Sequence, residues 1–126
     1  EGNGGVINPD LHYGRDALVG IAMILQLLAE REISATEYRR QMPDYQIIKN
    51  KIELENIDGD ALLEKALTEY ESHKPNTVDG VKIDFEEGWV HLRKSNTEPI
   101  IRVYAESTSA EKAQQMARNV MDKVRS

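Results

Sequence analysis

The stretch Val81-Lys82-Ile83-Asp84-Phe85-Glu86-Glu87-Gly88-Trp89-Val90-His91-Leu92-Arg93-Lys94 decides how this chain folds. Val81, Ile83 and Phe85 alternate with Lys82 and Asp84, the period of a strand with one buried and one wet face. Glu86-Glu87-Gly88 is short, polar and closed by glycine, so it predicts a three-residue hairpin connection into a second strand, Trp89 to Lys94. A third strand, Ile100 to Glu106, follows one polar loop. Such a sheet needs a helical layer over its apolar side, and helical patterns flank it on both sides. Upstream, Asp58 is placed to cap a helix reaching about His73, with Leu63, Leu67 and Tyr70 at helical spacing. Downstream, Thr108-Ser109-Ala110-Glu111 has the form of a capping box. Behind it Ala113, Met116, Ala117, Val120, Met121 and Val124 make one apolar stripe.

Further out, Tyr45 to Glu55 holds Ile47, Ile48, Ile52 and Leu54 and predicts one more strand, open to a bulge. The order from Tyr45 onward is therefore β-α-β-β-β-α. This is an α+β fold: a two-layer antiparallel sheet with its helices on one face, preceded by a helical overhang. Pro43-Asp44 is the expected boundary, dividing the chain into residues 1–43 and 44–126. In the overhang, Ala17 to Ala29 predicts a helix with Asp16 in or near its first turn. Ser34-Ala35-Thr36-Glu37 predicts a capping box opening a shorter helix through Met42. The first helix is apolar nearly all round, with Leu18, Ile21 and Leu25 but also Val19, Met23 and Leu27, the mark of a helix covered on more than one side. At 13 residues it falls short of the roughly 20 needed to span a bilayer. The chain opens on Glu1 and glycines rather than on Met and a signal-peptide pattern, so the expectation is a piece of a longer protein.

Composition narrows the classes. The 126 residues carry 16 Lys and Arg against 22 Asp and Glu, a net charge of −6, which argues against a general nucleic-acid or membrane-surface partner. The absence of cysteine excludes disulfides, zinc ribbons and thiol chemistry.

The segment richest in chemistry is Arg93-Lys94-Ser95-Asn96-Thr97-Glu98-Pro99-Ile100-Ile101-Arg102. It sets two guanidinium groups, two hydroxyls and an amide around a loop between strands, and these are donors that a phosphate takes. From His91 to Tyr104 the charges sum to +2 within an acidic chain. The same residues also suit an ordinary polar hairpin tip. A second candidate, Glu1-Gly2-Asn3-Gly4-Gly5, offers one carboxylate and one amide to sugar hydroxyls, or is a terminal turn. It is neither a dinucleotide fingerprint nor a Walker loop. Asp58-Gly59-Asp60 is explained by helix opening rather than by a metal. His12, His73 and His91 lack ligand spacing, and no serine can be paired to a histidine as a nucleophile. Trp89 and Phe85 are expected in the core.

Taken together, Asp79-Gly80-Val81-Lys82, Gly88-Trp89 and Arg93-x-Ser95-Asn96-Thr97-Glu98-Pro99-x-x-Arg102 resemble the C-terminal domain of the α-D-phosphohexomutases. Glu1-Gly2-Asn3-Gly4-Gly5 resembles the sugar-binding loop that ends the third of that family's four domains. The resemblance implies an isomerase that shuttles a phosphoryl group between a serine of the first domain and a hexose phosphate, assisted by Mg²⁺ held in the second domain. It implies that Arg93, Ser95, Asn96 and Thr97 grip the substrate phosphate, with Arg102 as a supporting cation, and that Glu1 and Asn3 bond the sugar hydroxyls. It places no catalytic residue and no metal ligand in this chain, so the expected partners are a phosphosugar and the remaining domains. A fragment lacking the serine loop would be inactive alone, and the full-length protein is expected in the cytoplasm. Asn3 and Gly5 stand where many members carry Ser and His, which favours the phosphoglucosamine type slightly over the glucose and mannose types. Two other readings compete: a stand-alone α+β binding module, such as an RNA-binding sheet, and a dimerisation domain using Ala17 to Ala29. The first would order its elements βαββαβ and present a basic aromatic face, unlike this chain.

Overall fold

The computed structural model describes residues 4–55 and 57–126. It divides into two compact units, Glu1–Pro43 and Asp44–Ser126.

The first unit holds α1 (Ala17–Arg31) and α2 (Ala35–Gln41). Asp16 is the N-cap of α1, its Oδ1 accepting from the Val19 backbone N–H at 3.0 Å. The Gly14 N–H donates to His12 Nδ1 at 3.0 Å, which places the ring proton on Nε2 to donate to Asp16 Oδ2 at 3.1 Å. The Val19 bond above all, with the His12 bond next, holds the Asp16 carboxyl below its usual pKa. Glu32, at φ 51°, closes the helix by donating back to Ala29 and Leu28. No residue of α1 is buried; Leu18 is 78% exposed. In α2 both halves of the Ser34–Glu37 capping box form, and Met42, ahead of Pro43, is already extended.

The second unit contains β1 (Gln46–Glu53), α3 (Gly59–Glu69), β2 (Val81–Phe85), β3 (Gly88–Lys94), β4 (Ile100–Ser107) and α4 (Ala110–Arg125). It is an α+β fold whose four strands form one antiparallel sheet in the order β1-β4-β3-β2. Alternation assigns each side chain to a face. Ile52, Val81, Ile83, Val90, Leu92, Ile101, Val103 and Ala105 point to one side and are buried there with Leu62 and Ala66 of α3 and Ala113, Ala117, Val120 and Val124 of α4. Ile48, Met116 and Met121 pack at the margin of this core. The opposite face carries no helix of this unit and presents Lys49, Lys51, Lys82, Trp89, His91, Arg93, Arg102 and Tyr104.

Several expectations need correction. β1 pairs with β4 over eight consecutive residues, so there is no bulge; Ile47 simply faces the helix-free side, 37% exposed. The Asp58 helix ends at Glu69, followed by a 3₁₀ turn at Glu71–His73 and Lys74 at φ 50°. Tyr70, the last residue in helical register, is buried and meets Phe85 edge-on, with centroids 5.8 Å apart. Leu62, Ala66 and Tyr70 form the buried line of that segment, and Leu63 and Leu67 are only half-buried. The β2–β3 connection is two residues, because Gly88 already pairs with Phe85. Ser109, not Thr108, caps α4, accepting from the Lys112 N–H at 3.2 Å. Phe85 packs at the core edge, but Trp89 lies on the helix-free face, donating Nε1–H to Glu106 at 3.1 Å under the Lys82 ammonium.

Candidate functional site

The loop at positions 95–99 joins β3 to β4 and is fastened at both ends. The Ser95 N–H donates to the Ile100 carbonyl at 3.0 Å, and the Ile100 N–H to the Glu98 carbonyl at 2.8 Å. The Pro99 carbonyl accepts from the Leu54 N–H at 2.9 Å, which ties the loop to the end of β1. Within it the Thr97 N–H reaches the Ser95 hydroxyl oxygen at 3.5 Å. Ser95 is half-buried, while Asn96 and Thr97 are exposed, so hydroxyl and amide groups are presented on a braced backbone.

Strand register brings the cations together. Arg93 of β3 lies directly opposite Arg102 of β4, and Arg102 lies opposite Lys51 of β1. Three like charges in a row across a sheet repel, and each has its own carboxylate. Arg93 Nε donates to Asp79 Oδ2 at 3.0 Å, Arg102 lies 3.6 Å from Glu98, and Lys51 lies 2.6 Å from Glu53. The bond to Glu53, more than its charge, raises the Lys51 pKa. Lys94 pairs with Asp60 at 2.6 Å. These partners revise the +2 read along the sequence: Asp79 and Asp60, from outside that window, balance Arg93 and Lys94. The region therefore exerts little long-range pull on anions. Exposed ion pairs of this kind are individually weak, so a doubly charged phosphate can compete for the guanidinium groups at contact.

The structure thus brings Arg93, Ser95, Asn96, Thr97 and Arg102 to one loop and the two strand ends that carry it. Glu1 and Asn3, the expected sugar contacts, lie outside the described residues. Lys51 was not among the expected site residues, and Asp79 and Asp60, expected only as part of a motif and at a helix start, pair with Arg93 and Lys94. Their proximity depends on strand register and on a turn folding back, although Asp79-Gly80 was visible as a motif. Among the described residues no group of three or more His, Asp or Glu side chains converges to hold a metal ion, and no helix is long and apolar enough to cross a membrane.

Residues 47–123 match the family model for the phosphoglucomutase/phosphomannomutase C-terminal domain. The chain belongs to this family. Across this phosphoglucomutase/phosphomannomutase domain and the segment before it, the chain is 41% identical to a phosphoglucomutase/phosphomannomutase of Thermococcus kodakarensis, covering 91% of this chain and 25% of the relative. It is 36% identical to a phosphoglucosamine/phosphogalactosamine mutase of Sulfurisphaera tokodaii, covering 99% of this chain and 27% of the relative. A crystal structure of a phosphoglucomutase/phosphomannomutase family protein from Burkholderia thailandensis shares the fold, with a TM-score of 0.67 at 21% identity over 97% of this chain and 27% of that one. The chain spans about a quarter of the length of these relatives.

Proposed function

We propose that this chain is the C-terminal part of a phosphohexomutase that interconverts hexose 6-phosphates and 1-phosphates, and that its β3–β4 loop grips the substrate phosphate that is not reacting. The observation that carries this reading is the direct pairing of Arg93 with Arg102 beside a braced loop of hydroxyl and amide donors. Phosphoryl transfer depends chiefly on positioning and charge neutralisation, and both are served by a guanidinium fork backed by Ser95, Asn96 and Thr97. Arg102 adds positive potential from the neighbouring strand. In this reading residues 1–43 are the tail of the sugar-binding third domain, where Glu1 and Asn3 bond hydroxyls of the hexose. Residues 44–126 are the phosphate-binding domain. The serine that carries the phosphoryl group and the aspartates that hold Mg²⁺ belong to other domains of the full-length protein, so this part alone is inactive. The partners are a phosphosugar and those domains, and the compartment is the cytoplasm.

The names of the relatives span glucose, mannose and amino-sugar types. Asn3 and Gly5 in the sugar loop favour glucosamine phosphate. The test is a mutase assay of the full-length protein on the 1-phosphates of glucosamine, glucose and mannose. The expected result is turnover with the highest kcat/KM for the glucosamine ester. Preference for glucose or mannose would overturn the sugar assignment, and no turnover of any of the three would overturn the mutase reading.

A further inference from the structure

Resting on that reading, we infer that Asp79 and His91 are positioning residues for the phosphate grip, acting through Arg93. The turn that carries Asp79 is held against β3 at several points. His91 Nε2 donates to the Asp79 backbone carbonyl at 2.6 Å, and Arg93 Nε donates to the Asp79 carboxylate at 3.0 Å. His91 and Arg93 are two residues apart on one strand, so both reach the turn from the same face of the sheet. The base of the turn is clamped by paired backbone bonds, Asn76 N–H to the Lys82 carbonyl at 2.8 Å and Lys82 N–H to the Asn76 carbonyl at 2.9 Å. Inside it, the Asn76 side chain accepts from the Val78 N–H at 2.9 Å. Gly80, at φ 75°, lets the backbone pass where a Cβ would lie 2.2 Å from the Leu92 carbonyl oxygen.

A long arginine on a strand end has many rotamers, and an unheld guanidinium loses much of its orientational freedom on gripping a phosphate. Asp79 takes the Nε edge and so fixes the plane of the fork before the ligand arrives. His91 fixes Asp79 in turn by its main chain. This arrangement opposes electrostatics, because a carboxylate beside an anion site repels the anion. The sign of the effect therefore separates the two possibilities. If Asp79 were only a neutralising charge, removing it would tighten phosphate binding. As a positioning residue, its removal weakens binding.

The test titrates the 126-residue chain with inorganic phosphate, following backbone amides and the Arg93 Nε–Hε signal by NMR, for the unaltered chain, Asp79→Ala, Asp79→Glu, Arg93→Ala and the Asp79→Ala/Arg93→Ala pair. Thermal unfolding of each variant is recorded alongside. The expected result is binding about three- to ten-fold weaker in Asp79→Ala, partial recovery in Asp79→Glu, and no further loss in the double variant beyond Arg93→Ala. The Nε–Hε signal should shift and exchange faster in Asp79→Ala while the unfolding temperature stays within a few degrees. Unaltered or tighter binding by Asp79→Ala, with the unaltered chain binding normally, would overturn the positioning role alone. No binding by the unaltered chain would overturn the phosphate-grip reading and the positioning role with it.

Discussion

Under the proposed function, replacing Arg93 with alanine is expected to raise the KM of the full-length protein for a hexose phosphate by about 10- to 100-fold, with a much smaller change in kcat. A hydrogen bond between charged partners in a binding site contributes about 1.5–3 kcal/mol, and every 1.4 kcal/mol is a factor of ten. The loss falls mainly on KM because a grip on a non-reacting phosphate acts alike in the bound substrate and in the transition state. The variant also leaves Asp79 without its guanidinium partner, so an uncompensated carboxylate repels the phosphate and adds to the loss. Arg93→Lys should recover only part of the affinity, because an ammonium cannot present a planar pair of donors. Folding should barely respond, since the Arg93 side chain is 32% exposed and pairs with an Asp79 that is 60% exposed, and such pairs contribute at most about 1 kcal/mol. KM values within two-fold of the unaltered enzyme would remove Arg93 from the site.

The second large effect is on stability. Gly80→Ala is expected to destabilise the second unit by about 3 kcal/mol or more, from two sources. A non-glycine residue held at φ 75° costs about 1–2 kcal/mol. The added methyl group would also meet the Leu92 carbonyl oxygen at 2.2 Å and the Arg93 Cα at 3.1 Å. Neither can step aside, because Leu92 is paired to Val81 on one side and Val103 on the other. Overpacking against fixed backbone adds about 1–3 kcal/mol. The check is urea unfolding: the midpoint should fall while the slope stays unchanged. A midpoint equal to that of the unaltered chain would mean that the turn can relax. Because Gly80 adjoins Asp79, whatever folded protein remains should also bind phosphate more weakly.

What could be read directly from residues was periodic or local. The alternation of Val81, Ile83 and Phe85 and the stripe from Ala113 to Val124 placed strand and helix, because burial on one face leaves a period in the sequence. Caps at Asp58 and Ser34 were legible because their partners lie two or three residues away. What escaped depended on contacts distant in sequence. The row Lys51–Arg102–Arg93 exists only through register, since β1 and β4 are separated by α3 and a hairpin. The charge of the loop could not be summed correctly without Asp60 and Asp79, which arrive from other elements. Gly88 was legible as a turn glycine but not for its second reason. It closes the two-residue turn as its paired fourth residue, and a Cβ there would lie 1.9 Å from the Glu106 carbonyl oxygen, so the residue also permits close approach of β3 to β4. The end of α3 left no mark in the sequence, because Leu62, Ala66 and Tyr70 keep helical spacing up to it and the 3₁₀ turn begins only at Glu71.

In the proposed function the 95–99 loop and Arg93 take the phosphate. The most direct measurement follows the backbone amides of the 126-residue chain while a hexose 6-phosphate is added, with the unphosphorylated hexose as the control. Saturable shifts are expected, concentrated at Ser95, Asn96 and Thr97, absent with the plain sugar and abolished by Arg93→Ala. Shifts centred instead on Lys49 and Lys51, or spread evenly over the surface, would contradict that assignment.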